Sequence, residues 1–312
     1  MTTSGSINFS QNRDQIINAA FRKIGAFASG ETPDSTSVED ASAALNALVK
    51  HWEYSGIHLW TETEGTLWLQ PDQYQYDLGS GSSDHATLAS AYTKTTLASS
   101  AADGATTLTL TSATGFAAGA WVGVLLDDGS LFWGVESGAP AGAVVTLTSG
   151  ITDSAAAGNL VFTYASTADL ERPLRIVAAR RVAWNSSAPA QIETPMNPML
   201  ARLDYRALPN KAATGTPTQA FYDPQLTLGQ FWIWPTPLDS TSGVNFTFYR
   251  TIQDFDAAAN TPDLPQEWIR TLVWNLALDM APEYDTPPIR YKMIQQMAAQ
   301  SLEEIRGWDR EP

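Results

Sequence analysis

The chain has 312 residues, 18 Lys and Arg against 33 Asp and Glu for a formal charge of −15, and no cysteine. That length allows one or two domains with a sizeable core, and the acidic balance repels DNA, RNA and anionic lipid at long range, which excludes tight non-specific nucleic-acid binding. The lack of thiols excludes disulfide staples and thiolate metal sites and fits a reducing cytosol or a particle assembled in one.

The opening MTTSGSINFSQNRDQ has neither a basic nor an apolar leader region, and no run reaches the length of a membrane span. The sequence therefore predicts a soluble product, with a polar arm over its first dozen residues that orders on contact with a partner. Asn12 or Asp14 then caps a helix whose apolar residues Ile16, Ile17, Ala20, Phe21 and Ile24 recur at helical spacing up to Gly25. Thr36 with Glu39 reads as a capping box for a second helix that buries Ala41, Leu45, Leu48 and Trp52 and stops near Gly56.

From Gly65 onward the pattern turns to alternation, with Leu67 and Leu69, then Tyr74 and Tyr76, before the flexible LGSGSSDH. The segment from about Ala86 to Ala165 is rich in Ala, Thr, Gly and Val. Within it ATTLTLTSATGFAAGAWVGV echoes AVVTLTSGITDSAAAGNLVF, the pattern of a small barrel or sandwich inserted as a module. Asp127, Asp128 and Gly129 read as its hairpin turn. RPLRIVAARRVAW resumes a β scaffold, and residues 166–216 are the locally basic stretch, with seven bases (Arg172, Arg175, Arg180, Arg181, Arg202, Arg206 and Lys211) against four acids. FYDPQLTLGQFWIWPTPLDSTSGVNFTFYR reads as a hairpin, with Trp232 and Trp234 on one face, Phe231 and Ile233 on the other, and Phe246 and Phe248 on its return strand.

The C-terminal run is a helical hairpin. Pro265 opens a helix in which Trp268, Leu272, Leu276 and Met280 fall at four-residue spacing, widened by Ile269, Val273, Trp274 and Leu278 until Thr271, Asn275 and Asp279 remain as a polar stripe. A helix this apolar is expected to need more cover than its own chain gives, supplied by an adjacent copy. The partner helix opens at Thr286 and buries Ile294, Met297, Ala298, Leu302 and Ile305. The fold class expected is α+β: a helical bundle from both chain ends, a central antiparallel β domain and a small all-β inserted module. Residues 1–60 and 256–312 form the bundle, 61–85 and 166–255 the β domain, and 86–165 the module.

In order along the chain, the W-x-x-x-G pattern from Trp52 to Gly56, the RPLRI strand, YRALPNKAATGTPTQAFYDP, FWIWPTP and LPQEWIRTLVWNLALDMAPEYD resemble the head-to-tail adaptor proteins of tailed bacteriophages. They are similar to the tail accessory, or packaged-DNA-stabilisation, factor of lambdoid short-tailed phages. That resemblance covers most of the chain apart from the first ten residues and the module. It implies a virion protein made in the host cytoplasm that forms a homo-oligomeric ring, usually of twelve copies, in the neck. The ring docks on the portal protein and presents its other face to a tail tube or nozzle protein, while DNA passes through the lumen without sequence-specific binding and no membrane is involved. It carries over no catalytic motif and no cofactor. The expected interface residues are Trp268, Leu272, Trp274, Leu276 and Met280 on the apolar helix, and Arg172, Arg175, Arg180 and Arg181, which are expected to pair with acidic surface on the next copy.

Enzyme readings find little support in the residues. His51, His58 and His85, without cysteine or clustered carboxylates, do not compose a metal site. Ser83, Asp84 and His85 are adjacent in one loop, whereas a triad gathers residues from distant positions. Asp127 and Asp128 lack the alternating oxygen spacing of a calcium loop, and Glu62 and Glu64, two apart in a strand, show no groove for a glycosidase pair. The tryptophans Trp60, Trp68, Trp121, Trp133, Trp232 and Trp234 read as core or contact residues, because bases are not interleaved with them in sequence. The sequons at Asn185 and Asn245 carry no meaning without secretion. The alternative kept open is a carbohydrate- or host-surface-binding virion protein acting through the module.

Overall fold

The computed structural model describes residues 5–27, 30–55, 61–184, 192–197 and 199–308. Gly56, His58, Trp60 and Asn185 lie outside them, and so do the predicted end of the second helix and the first four residues of the arm. The architecture is α+β, with helices at both chain ends and antiparallel strands between them in sequence. Among the described residues the helices are α1 (Arg13–Ile24), α2 (Ser35–Tyr54), α3 (Arg202–Ala207), α4 (Ile269–Met280) and α5 (Pro288–Trp308). The chain divides into two compact units, one from Met1–Thr61 with Thr251–Pro312 and the other Glu62–Arg250.

In the helical unit, α1 begins with a reciprocal cap. The Asn12 side chain accepts from the Gln15 N–H at 2.9 Å, and the Gln15 side chain accepts from the Asn12 N–H at 3.0 Å. Gly25 ends the helix at φ 86°, and a Cβ there would also collide with the Arg290 guanidinium, whose Nη1 donates to the Ile24 carbonyl at 3.0 Å. The cap of α2 is Asp34, whose carboxylate accepts from the Ser37 N–H at 2.8 Å. It thus lies upstream of the Thr36 box expected from the sequence, because a carboxylate is a better N-cap acceptor than a threonine hydroxyl.

The structure corrects the expectation that α4 needs a second copy to cover it. Trp268, Leu272, Leu276 and Met280 are all 3% exposed or less within the single chain, packed with Ile17, Phe21, Leu45, Trp52 and Ile294. The physical reason lies in the polar stripe, of which only Asp279 is exposed. Thr271 and Asn275 are buried in the seam between α4 and α5, where Thr271 Oγ1 donates to the Ser301 carbonyl at 3.3 Å and Asn275 Nδ2 to the Thr271 carbonyl at 2.9 Å. With Thr271 and Asn275 bonded, the helix packs against α1, α2 and α5 and leaves only Arg270 and Asp279 exposed. Trp274 is half-buried, with the Lys23 ammonium 4.6 Å over its ring.

The β unit opens with β1 (Glu62–Trp68), β2 (Gln75–Leu78) and β3 (Ala86–Leu88). It continues through β4 (Tyr92–Thr96), β5 (Thr107–Thr109), β6 (Trp121–Leu125), β7 (Leu131–Val135), β8 (Val144–Thr146) and β9 (Leu160–Tyr164). It ends with β10 (Arg175–Ala183), β11 (Ile192–Pro195), β12 (Gln219–Asp223), β13 (Gly229–Trp234) and β14 (Ser242–Tyr249). One sheet runs β11-β10-β14-β1-β3 and another β12-β13-β2, with Leu67, Tyr76, Phe231, Ile233, Phe246 and Phe248 in the core they share. The expected hairpin is therefore corrected. β13 pairs with β12 and β2, while Phe246 and Phe248 belong to β14, which sits between β10 and β1. Gly65 allows this, since a Cβ there would come 2.7 Å from the Phe246 ring.

Strands β4 to β9 pair among themselves, in a sheet β4-β9-β6-β7 and a ribbon β5-β8. The internal repeat sets this pairing: the Thr/Leu strand of each copy pairs with its counterpart (β5 with β8), and so do the strands that follow (β6 with β9). The matching positions extend to Leu97, which bridges Leu110, and Glu136, which bridges Leu147; their carbonyls accept from Gly158 and Gly119 respectively, both at 2.8 Å. Glu136 thus stands where the repeat elsewhere places a leucine, and it is 1% exposed. Its carboxylate oxygens make no well-formed hydrogen bond, and burial raises its pKa, eased by the Ala117 backbone. Glu136→Leu is expected to stabilise the protein by about 1–3 kcal/mol at neutral pH. Because the folded-state pKa lies above the ordinary 4.5, the gap between variant and wild type should close as pH falls through that raised value to below 4.5. Urea unfolding at pH 7 and pH 4 measures both.

Candidate functional site

Two features of the β unit bring functional side chains together. The first is a polar ladder on the face of the sheet opposite Leu67, Phe246 and Phe248. The alternation of β1 and β14 puts Glu64 opposite Thr247 and Thr66 opposite Asn245, with Arg180 of β10 beside Asn245. Arg180 pairs with Glu64 and, at 2.9 Å, with Glu193 of β11. Thr247 Oγ1 donates to Glu64 at 2.6 Å, Asn245 Nδ2 to Glu193 at 2.7 Å, and Thr66 Oγ1 to Asn245 Oδ1 at 2.8 Å. Glu64 is committed to this ladder, so it forms no acid pair with Glu62, and Arg180 finds its acidic partners in its own chain. Of the other predicted arginines, Arg175 is exposed, and Arg172 and Arg181 are half-buried.

The second feature surrounds His85. Its ring stacks on Trp133 at 4.0 Å and 14° and meets Trp121 edge-on at 4.9 Å. Its Nδ1 lies 2.8 Å from the Tyr164 hydroxyl, which also bonds Asp169, itself bonded to the Trp121 side chain. A groove of about 510 Å³ opens beside it, lined by Gln70, Gln73, Ser83, Asp84, His85 and Trp133 among others. Burial lowers the His85 pKa to about 4 and raises that of Tyr164 far above its usual value, so both are neutral at physiological pH. Neither is a nucleophile or a base poised for neutral pH.

Asp84 does not orient His85. Its carboxylate accepts from Gln73 Nε2 and from the Asp77 N–H, each at 2.6 Å, and the Ser82 hydroxyl donates to the Asp77 carbonyl at 2.5 Å, which clasps the Gly/Ser loop. Gln70 is likewise occupied: it donates to the Leu131 carbonyl at 2.8 Å and accepts from the Leu131 N–H at 3.4 Å. Asp127 accepts from Ser154, Ala156 and Asn159, each at 2.9 Å, and so acts as a turn anchor. Of the groove's polar groups, Gln70 thus joins the end of β1 to β7, while Gln73 and Asp84 are spent on their own loop. Among the described residues no group of three or more His, Asp or Glu side chains could hold a metal ion, and no described helix is long and apolar enough to cross a membrane.

The aromatic junction was not legible in the sequence. Trp68 of β1 lies 5.2 Å from Tyr92, 5.2 Å from Trp133, 5.6 Å from Tyr164 and 6.4 Å from Trp184, side chains drawn from β4, β7, β9 and the end of β10. The available signal was an aromatic residue in or beside each of those strands, which names no partners.

Comparison with known families matches residues 139–312 to the family described as SU10 adaptor protein. The matched span runs from the second copy of the internal repeat through β10–β14 to the end of the helical unit. No curated protein matches the chain.

Proposed function

The chain belongs to the SU10 adaptor protein family, a family of structural adaptors of bacteriophages, and from that premise we propose that its copies close into a ring of twelve in the virion neck. One face of the ring meets the portal protein and the other a tail tube or nozzle protein, as in the head-to-tail adaptors of lambdoid short-tailed phages. The ring retains packaged DNA and lets it pass. The observation that carries this reading is the family match across both the β10–β14 scaffold and the C-terminal helices. The formal charge of −15 supports it, because a lumen that repels phosphate lets DNA slide without gripping it. With α4 enclosed in its own chain, the contacts between copies fall to other surfaces, the exposed Arg175 and half-buried Arg172 and Arg181 among the candidates.

Multi-angle light scattering of the purified chain, alone and mixed with the purified portal, should give a ring-sized species, with a twelvefold outline in negative-stain images of the complex. A chain that remains monomeric in both preparations counts decisively against the reading.

A further inference from the structure

The outer face of the β12-β13-β2 sheet carries aromatic rings with cations seated on them, an arrangement absent from the local sequence. Phe221 stands opposite Trp232 in the register of β12 and β13. The Tyr205 ring of α3 lies 5.5 Å from Phe221 at 21°, and 5.3 Å from Trp232. Tyr74 lies 5.7 Å from Trp232. The Arg202 guanidinium sits 5.9 Å over Phe221 and is paired with Asp223, and the Lys211 ammonium sits 5.6 Å over Tyr205 and donates to the Arg206 carbonyl at 3.1 Å. Bases and rings that looked separate in sequence are interleaved here, because α3 and the strands come from different segments of the chain.

We propose that the exposed side of α3, with Leu203 and Arg206 at its centre and Tyr74 and Trp232 beside it, is a docking surface for an acidic face of a second copy of this chain. This rests on the ring reading above. Leu203 is 77% exposed and Tyr74 41%, and Arg206 is exposed one helical turn from Leu203. Trp, Tyr and Arg are the residues that dominate protein interfaces, and here the Tyr74 and Trp232 rings rest on each other before binding, so little of their side-chain entropy remains to be lost. Charge selects the partner. Around α3 stand Arg202, Arg206 and Lys211 against Asp204 and Asp223, whereas the chain outside residues 166–216 holds 11 bases against 29 acids. Nucleic acid fits worse: base stacking needs open ring faces, whereas Tyr205 and Phe221 are 7% and 8% exposed and covered by each other and by the cations.

Sedimentation velocity of the full chain, alone and with portal, should show self-association that weakens as NaCl is raised. It should weaken about tenfold or more in Leu203→Glu and Arg206→Glu, with Arg206→Lys close to wild type and far-ultraviolet circular dichroism and melting temperature unchanged in all three. Variants that assemble as the wild type does overturn the surface and leave the ring reading standing. A wild-type chain that never self-associates, with or without portal, overturns both. Binding of a labelled DNA duplex that Arg206→Glu abolishes while self-association persists overturns the choice of a protein partner. Should either glutamate variant unfold, Leu203→Ser on the same exposed side gives the same reading.

Discussion

Trp68→Ala should lower stability by about 3–5 kcal/mol, the scale of a buried tryptophan truncated in a packed core, read as a fall in the urea midpoint followed by circular dichroism. Trp68 is 1% exposed and is the ring through which β1 touches Tyr92, Trp133, Phe162, Tyr164 and Trp184. Its removal leaves a cavity bounded by rings that are fixed from behind, so collapse around the gap is limited. The loss should also be local. Leu108, Val122, Val145 and Val161 form a separate cluster within the β4–β9 segment. Hydrogen exchange is therefore expected to rise in β1, β3 and the end of β9 while the β5-β8 ribbon stays protected. A loss below about 1 kcal/mol, or uniform loosening of β5 and β8, would show that the junction is not where the two clusters are joined.

What the sequence showed and hid follows the range of the interactions concerned. The cap at Asn12 and the stop at Gly25 were legible because both act within four residues. The internal repeat was legible as a repeat, and its like-with-like pairing follows once two copies must share one core. The pairing of β14 was not legible. The alternation in its Phe246 and Phe248 says that one face is buried, but a period of two is the same whether the partner is β13, nearby in the chain, or β1, about 180 residues away. The His85 environment was hidden for a similar reason, since Trp121, Trp133 and Tyr164 reach it only through strand register. Thr271 and Asn275 misled because polar residues at helical spacing normally mark the wet side. Here Asn275 spends its amide on the Thr271 and Ala298 carbonyls, at 2.9 and 3.4 Å, and a satisfied amide can be buried at little cost.

That reversal makes Trp268→Ala the sharper of the two stability tests. Trp268 is 1% exposed, with its ring 5.6 Å from Trp52 of α2, and truncation should again cost about 3–5 kcal/mol. The informative quantity is how the loss depends on protein concentration. A tryptophan enclosed by its own chain lowers the unfolding midpoint by the same amount at every concentration, whereas one that seals a contact between copies makes the midpoint climb with concentration in the wild type and far less in the variant. The enclosure of α4 by α1, α2 and α5 predicts the first behaviour, measured over a hundredfold range of dilution. Trp268→Ala should then leave any ring that still folds with its contacts intact, since Leu203 and Arg206 lie on the other unit. A midpoint that tracks concentration and flattens on truncation would return α4 to the interface and withdraw the conclusion that one chain covers it.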